Sequence, residues 1–409
     1  MTRRMASFCG LAVALVVMLG AARAAPAQQV VKFGEGQTLT ISGFINATLF
    51  TDHGLFGGFG QGQNAEWAAA AQPTTDKLFT DGDVRNTRIN FTFNAAPVLG
   101  KWAPRATLEA DFFGAFNGAP PFGDEQPQMR IRFAFADLTN GRTTLRIGQF
   151  WAPLFNTDIP VSLAHIAFPV GLGSGGVIGW RFPGVFLYHD LTAGKPVNVQ
   201  LQLAAFKGSG PAVAAAGDTA AVRNTGNGEA SGLPQLEARL NFARRSEHLS
   251  WSGYAVGHLD WKDTTGTGVA GDNLMGWGVE AGGSVAPRHF TLHGTFYYGK
   301  DLGQQFAHIA QFTVRNIRGW GAWAQAGYDF TPHWSLWAYY GMDQPNAQRY
   351  TQETGLTLAR QLSHVGAGLL RFRAGRYALG LEYFRASTRY SGTGPASADQ
   401  VALSVLYTL

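Results

Sequence analysis

The chain has 409 residues, 45% of them apolar and only 14% charged, where soluble globular proteins carry about 25% charge, so a water-soluble surface of this size is not expected. Mean hydropathy is nearly neutral at −0.05, which excludes a bundle of membrane helices, since each would need about 20 uncharged apolar residues. The formal charge is +5, but Arg3, Arg4 and Arg23 behind it sit at the amino terminus, so it makes little case for nucleic acid and none is expected as a partner.

Arg3 and Arg4 precede an apolar run from Phe8 to Leu19 and the A-x-A pattern Ala22-Arg23-Ala24. Together these read as a secretory signal peptide over 1–24, with Ala25-Pro26-Ala27 offering a cut three residues later. The single cysteine, Cys9, lies within it. The mature chain then has no thiol or disulfide, as suits an exported bacterial protein in an oxidising periplasm. Residues 25–37 form a short lead.

From Thr38 onward the pattern has period 2, that of strands with two unlike faces. Leu39, Ile41 and Ile45 alternate with Thr38, Thr40 and Ser42; Ile89, Phe91 and Phe93 with Arg88, Asn90 and Thr92. Leu236, Ala238 and Leu240 alternate with Gln235, Glu237 and Arg239, and Val401 to Leu409 alternates to the last residue. Connections alternate in length. Short turns lie around 100–104, 139–142, 192–196, 243–246, 286–288, 331–333 and 374–376. Between them run long polar or glycine-rich stretches at about 51–83, 114–128, 151–183, 208–233, 260–273, 300–317, 343–358 and 389–398. Seven short and eight long connections predict sixteen antiparallel strands with both ends on the short-turn side: an all-β transmembrane barrel over 38–409, set in outer-membrane lipid. Closure is required because an open edge in hydrocarbon leaves backbone groups unpaired at several kcal/mol each. Aromatics beside the short turns, among them Trp251, Phe290, Tyr328, Trp334, Phe372 and Tyr377, fit an interfacial girdle. A soluble β-sandwich is the alternative, and one-faced strands argue against it.

The third long connection, about 151–183, contains an uncharged stretch, Val161 to Trp180, broken by Pro169 and five glycines. Those residues exclude a spanning helix. An apolar loop is costly in water, so it is expected to fold into the barrel and narrow the channel. Its ionisable groups are Asp158, His165 and Arg181. Strand parity puts Arg88, Arg130, Arg132 and Arg146 on the interior of strands two, four and five, with Arg105, Glu109 and Asp111 inward on strand three. Arginines facing carboxylates across a constriction create a transverse field, and an excess of guanidinium favours anions. A salt-bridged wall that only keeps the lumen wet is the competing view. Glu237, Arg239, Glu280 and Glu382 elsewhere are mixed in sign.

No cofactor or metal is expected. Gly171 to Gly176 matches G-x-G-x-x-G outside any strand-to-helix turn, Gly294 to Lys300 lacks the Ser or Thr of a phosphate-binding loop, and no G-x-S-x-G is present. His289 and His293, four apart on one strand, are about 13 Å apart, too far for one ion. Asp81-Gly82-Asp83 reads as a polar turn.

Three blocks resemble the DcaP-like outer-membrane porins of Gram-negative bacteria: Glu109-Ala110-Asp111-Phe112-Phe113-Gly114, Met129 to Phe135, and Arg146 to Leu154, extended by Arg181-Phe182-Pro183-Gly184-Val185 and Tyr188. The resemblance covers about residues 84–190. It implies a sixteen-stranded, trimeric barrel in the outer membrane, whose arginines, here Arg130, Arg132 and Arg146, pass small anionic or zwitterionic solutes, carboxylates among them. Phe133 stands where members of that family often have His, and the coiled-coil lead of some members is missing. A channel for neutral sugars, with Tyr254, Tyr297, Trp337 and Tyr339 as stacking platforms, is the alternative; an outer-membrane hydrolase or a surface adhesin ranks lower.

Overall fold

Sixteen antiparallel strands close on themselves, each pairing with its two sequence neighbours and the last with the first. The computed structural model describes residues 29–34, 36–58, 66–70, 77–114, 127–210, 226–265, 273–311 and 316–409. The expected signal peptide lies outside the described residues. The barrel strands are β1 (Gln37–His53), β2 (Leu78–Asp83 and Arg88–Asn94, two halves of one strand), β3 (Ala103–Asp111), β4 (Arg130–Asn140), β5 (Thr143–Trp151), β6 (Arg181–Asp190), β7 (Asn198–Phe206) and β8 (Gln235–Arg244). The ring continues with β9 (Leu249–Asp263), β10 (Asn273–Pro287), β11 (Phe290–Lys300), β12 (Arg318–Asp329), β13 (Trp334–Pro345), β14 (Arg360–Ala374), β15 (Tyr377–Tyr390) and β16 (Gly394–Thr408). β16 meets β1 in a ladder from Phe44↔Thr408 to His53↔Asp399.

The two side-chain parities have separate solvents. Ile45, Leu49, Ile131, Ile147, Val279, Phe296 and Leu336 are exposed on the outer wall, while Asn46, Thr48, Glu237, His258, Glu382 and Gln400 are buried within. Such an outer face is stable only against hydrocarbon, and the closed ladder leaves it no open edge. Aromatics ring the outer wall at two levels: Trp334 with Phe372 and Tyr377 with Tyr407 near the short turns, Trp277 with Tyr298 and Phe296 with Trp320 near the other rim. Gly141 and Gly375 take positive φ (54° and 59°) in the two-residue turns after β4 and β14, a conformation costly for other residues.

Three features differ from the sequence expectation. Gln29–Gly34, read as part of a lead, is a strand that pairs with the first half of β1, Gln29↔Ile41 to Gly34↔Gln37. The connection expected as a long loop at 389–398 is a tight turn, because Tyr390 already pairs with Gly394. Gly392 and Gly394, both at positive φ (87° and 80°), supply that turn; a glycine-rich stretch serves a loop and a tight turn alike. Lastly, β1 and β2 run further than expected, so the first long loop shrinks to 54–77.

Candidate functional site: a half-filled lumen with an arginine wall

The third loop leaves the barrel wall after Trp151, crosses the lumen and returns at Arg181, and it forms a strap bonded to the wall at every stage. Near its root the Leu154 N–H donates to Glu237 of β8 (2.6 Å), and at mid-span the Val161 N–H donates to Gln325 of β12 (2.7 Å). At its tip the Leu163 and Ala164 N–H groups both donate to Glu382 Oε1 of β15 (2.7 Å each), and Ser162 Oγ donates to Oε2 (2.5 Å). Asn46 donates to the Leu163 carbonyl (3.0 Å), and Asn86 donates to the Ala164 carbonyl and accepts from the Ala167 N–H. Asn86 sits in the break between the two halves of β2, which frees it to clamp the strap. On the return path Tyr339 of β13 donates to the Gly175 carbonyl (2.6 Å). Gly176 has φ +86°, and a Cβ there would lie 2.6 Å from the Ala322 carbonyl, so the strap lies directly on β12.

The sixth loop, 301–311, also turns inward, with the Gly179 N–H donating to the Gln305 carbonyl (2.7 Å). Parts of the first loop complete the filling: Ser174 Oγ donates to the Glu66 carbonyl, and Trp67 packs on Ile309 and Ala310. Trp151, Phe155, Phe168, Leu172, Trp323 and Phe384 belong to one apolar core inside the ring. Such a core keeps the loops docked by burying apolar surface, at about 25 cal/mol per Å². Open space remains between that core and the wall of β2 to β8. A cavity of about 580 Å³ beneath the strap is lined by Arg105, Arg146, Tyr188, Gln200, Gln202 and Asn241, among others. A second of about 580 Å³, lined by Ser42, Arg88, Asn90 and Glu109, shares Asn94 and Arg105 with it.

The predicted arginines form two groups. In the upper one Arg130 binds Asp111 with two parallel bonds (2.9 and 2.7 Å), and Arg132 bridges Glu109 (2.8 Å) and Asp111 (3.0 Å). Arg88 stands 3.7 Å from Glu109. Arg181 is buried and stacks against Trp151 (4.5 Å) and Trp180 (4.3 Å), with no carboxylate partner among the described residues. Phe113, Phe168 and Trp180 face Arg130 at 5.2–5.9 Å. Four guanidinium groups therefore share two carboxylates among aromatic rings, with Arg88 and Glu109 open to the second cavity. In the lower group Arg146 binds Asp137 with two bonds (2.7 and 2.9 Å), joined by Arg105, and its guanidinium lies 3.8 Å from the Phe135 ring.

Asp137 was not legible from parity. Between β3 and β4, Ala110 pairs with Ile131 and Glu109 with Phe133, so Arg132 is the extra residue of a β-bulge. Parity flips there: before it Arg130 and Arg132 face inward, after it Phe135 and Asp137 do. A bulge re-aims side chains in just this manner.

Other expected site residues fall elsewhere. Asp158 is on the far side, 3.1 Å from His293, which also meets Gln325 (2.9 Å); it does not face the arginines. His165 is buried against Phe384, and burial pushes its imidazole down to about 4, so it is neutral. The four aromatics proposed as sugar platforms are all buried. Tyr254 donates to Glu280, Tyr297 to Asp343 (2.8 Å), Tyr339 to the strap, and Trp337 to Ser335 (3.1 Å); all are at most 7% exposed. They are structural supports, which removes the reason for the sugar alternative.

No family model and no curated protein matches the sequence. Solved structures do match. The outer membrane channel DcaP of Acinetobacter baumannii superposes with a TM-score of 0.69 at 17% identity, covering 93% of this chain and 99% of that one. The chain has the fold of outer-membrane porins. An anion-selective porin from Comamonas acidovorans gives a TM-score of 0.57 at 11% identity over 91% of this chain and all of that one. OmpT of Vibrio cholerae in a trimer form gives 0.52 at 11% identity over 91% of this chain and all of its own.

Proposed function

We propose that the chain, exported by its first 24 residues, is an outer-membrane diffusion channel that assembles as a homotrimer and favours small anionic or zwitterionic solutes, carboxylates among them. The observation that supports this is the charge imbalance at the upper arginine group, where Arg88, Arg130, Arg132 and Arg181 outnumber Glu109 and Asp111. Paired guanidinium groups still contribute to the field, but the surplus decides its sign. The likeness in fold to porins, one of them described as anion-selective and one seen as a trimer, supports the same reading. A channel needs no nucleophile or base, and the groups in the lumen are matched to holding loops and charges.

Reversal potentials in planar bilayers under a KCl gradient test it. The unmodified protein should prefer chloride, and Arg181→Gln and Arg130→Gln should each lower that preference. The preference should also shrink with salt, since the Debye length falls from about 10 Å at 0.1 M to about 3 Å at 1 M. A cation preference unaffected by these substitutions would refute the proposal.

A further inference from the structure

The strap takes positive φ only at glycines, Gly171, Gly173, Gly176 and Gly179, whereas the sixth loop is docked under strain. Asp301, Phe306, His308, Ile309 and Ala310 all have positive φ, between 41° and 61°. Three of them are consecutive and one is β-branched, the least tolerant kind of residue in that region. Strain of this sort persists only where surroundings over-determine the conformation. Here they do. The Asp343 carboxylate of β13 accepts from the Tyr297 hydroxyl (2.8 Å) and faces the backbone of His308 and Ile309. Arg360 of β14 donates to the Ile309 (2.9 Å) and Ala310 (3.3 Å) carbonyls, and Tyr297 of β11 accepts from the His308 N–H (3.2 Å).

The imidazole at the centre of this turn is the exception. His308 is 1% exposed and neither ring nitrogen has a partner among the described residues. A Cβ added to Gly319 of β12 would lie 2.4 Å from its Nδ1, so the ring is wedged against the wall. The charged and titratable groups around it are Lys262 and Asp260 of β9, Tyr297, Asp343, Arg360 and, in the loop itself, Asp301. None of these carboxylates bonds to the ring, and the charge it feels is that of Lys262.

We propose that the docked sixth loop is a proton-released wedge, which narrows the loop-bearing half of the lumen while His308 is neutral and withdraws when His308 takes a proton. Burial, with Lys262 adding to it, holds this imidazole down to about 3, against 6.5 when free. A proton therefore binds the withdrawn loop in preference to the docked one. Docking is fully favoured above about pH 6.5 and weakens as pH falls, by about tenfold per unit until the docked value is reached. The inference rests on the channel reading but not on the sign of its selectivity.

The experiment is unit conductance of the full-length protein in planar bilayers from about pH 7.5 to about pH 5. The unmodified channel should show larger or longer openings in acid. His308→Gln, which cannot titrate, should lose that response while conducting at the higher pH. A second variant guards against misfolding. Gln305 Nε2 lies 2.5 Å from Gln235 Oε1 across the lumen, so Gln235→Cys with Gln305→Cys, joined by a short reducible dithiol cross-linker that replaces the lost side-chain length, pins the loop, the only native cysteine being Cys9. The cross-linked form should be insensitive to acid, and reduction should restore the response. A flat pH profile in the unmodified protein, an acid response retained by His308→Gln, or one that survives pinning would each overturn the wedge. Loss of all conductance at every pH would instead count against the channel itself.

Discussion

Glu382 is the place where one substitution should free the strap without touching the barrel. Its carboxylate is 4% exposed and takes three hydrogen bonds from consecutive strap residues, the Ser162 hydroxyl and the Leu163 and Ala164 N–H groups. In Glu382→Ala these three donors lose their acceptor in a site closed to bulk water. A stranded buried donor costs about 1–3 kcal/mol, and water entering the new space offsets part of that. The docked tip should lose on the order of 3 kcal/mol, which raises its opening equilibrium roughly a hundredfold. Amide hydrogen exchange reads this directly. Leu163 and Ala164 should exchange about a hundred times faster, while Val161, whose N–H is held by Gln325, should change little, and bilayer recordings should become noisier. The reasoning is refuted if Leu163 and Ala164 keep their protection, or if Val161 loses its own to the same degree, since the strap would then move as one body held elsewhere.

Arg146→Gln removes the two-bond partner of Asp137, which is 1% exposed, and leaves Arg105 to hold it alone. Breaking a buried pair from one side costs about 3–5 kcal/mol, and the remaining arginine should hold the loss to the lower end; thermal unfolding of the detergent-solubilised barrel measures it, and an unchanged midpoint would contradict the pairing. Gly176→Ala places a methyl group 2.6 Å from the Ala322 carbonyl at a φ of +86°, which should lift the return path of the strap from β12 and alter unit conductance; a variant indistinguishable from the parent would show that the contact is not close.

What the sequence disclosed and what it withheld follow from how far each signal reaches. Period-2 alternation is local, so strand number and the inward row, with Arg130, Arg132, Glu109 and Asp111 on it, could be read residue by residue, whereas which carboxylate each arginine binds could not. The inward turn of the third loop was legible from its lack of charge. Asp137 stayed hidden because Arg132 is an extra residue, and one inserted position reverses every later assignment. The docking of the sixth loop against β8, β13 and β14, and the capture of Tyr254, Tyr297 and Tyr339 beneath the filling, depend on contacts between residues far apart in the chain. Composition carries no trace of them. The pairing of Asp158 with His293 stayed hidden for a similar reason: its loop travels to that wall before the side chain is set down.

The small strand Gln29–Gly34 bears on how the cylinder is sealed. β16 stops level with Phe44, while β1 begins at Gln37, so the stagger that closes a barrel would leave the start of β1 with a bare edge. The segment just ahead of it folds back and supplies the missing partner, Val30↔Thr40 and Val31↔Leu39 among its pairs. Bare edges invite pairing between molecules. Shortening or tagging the chain within those six residues therefore bears on aggregation during assembly, whereas conduction, which takes place on the other side of the wall, has no stake in them.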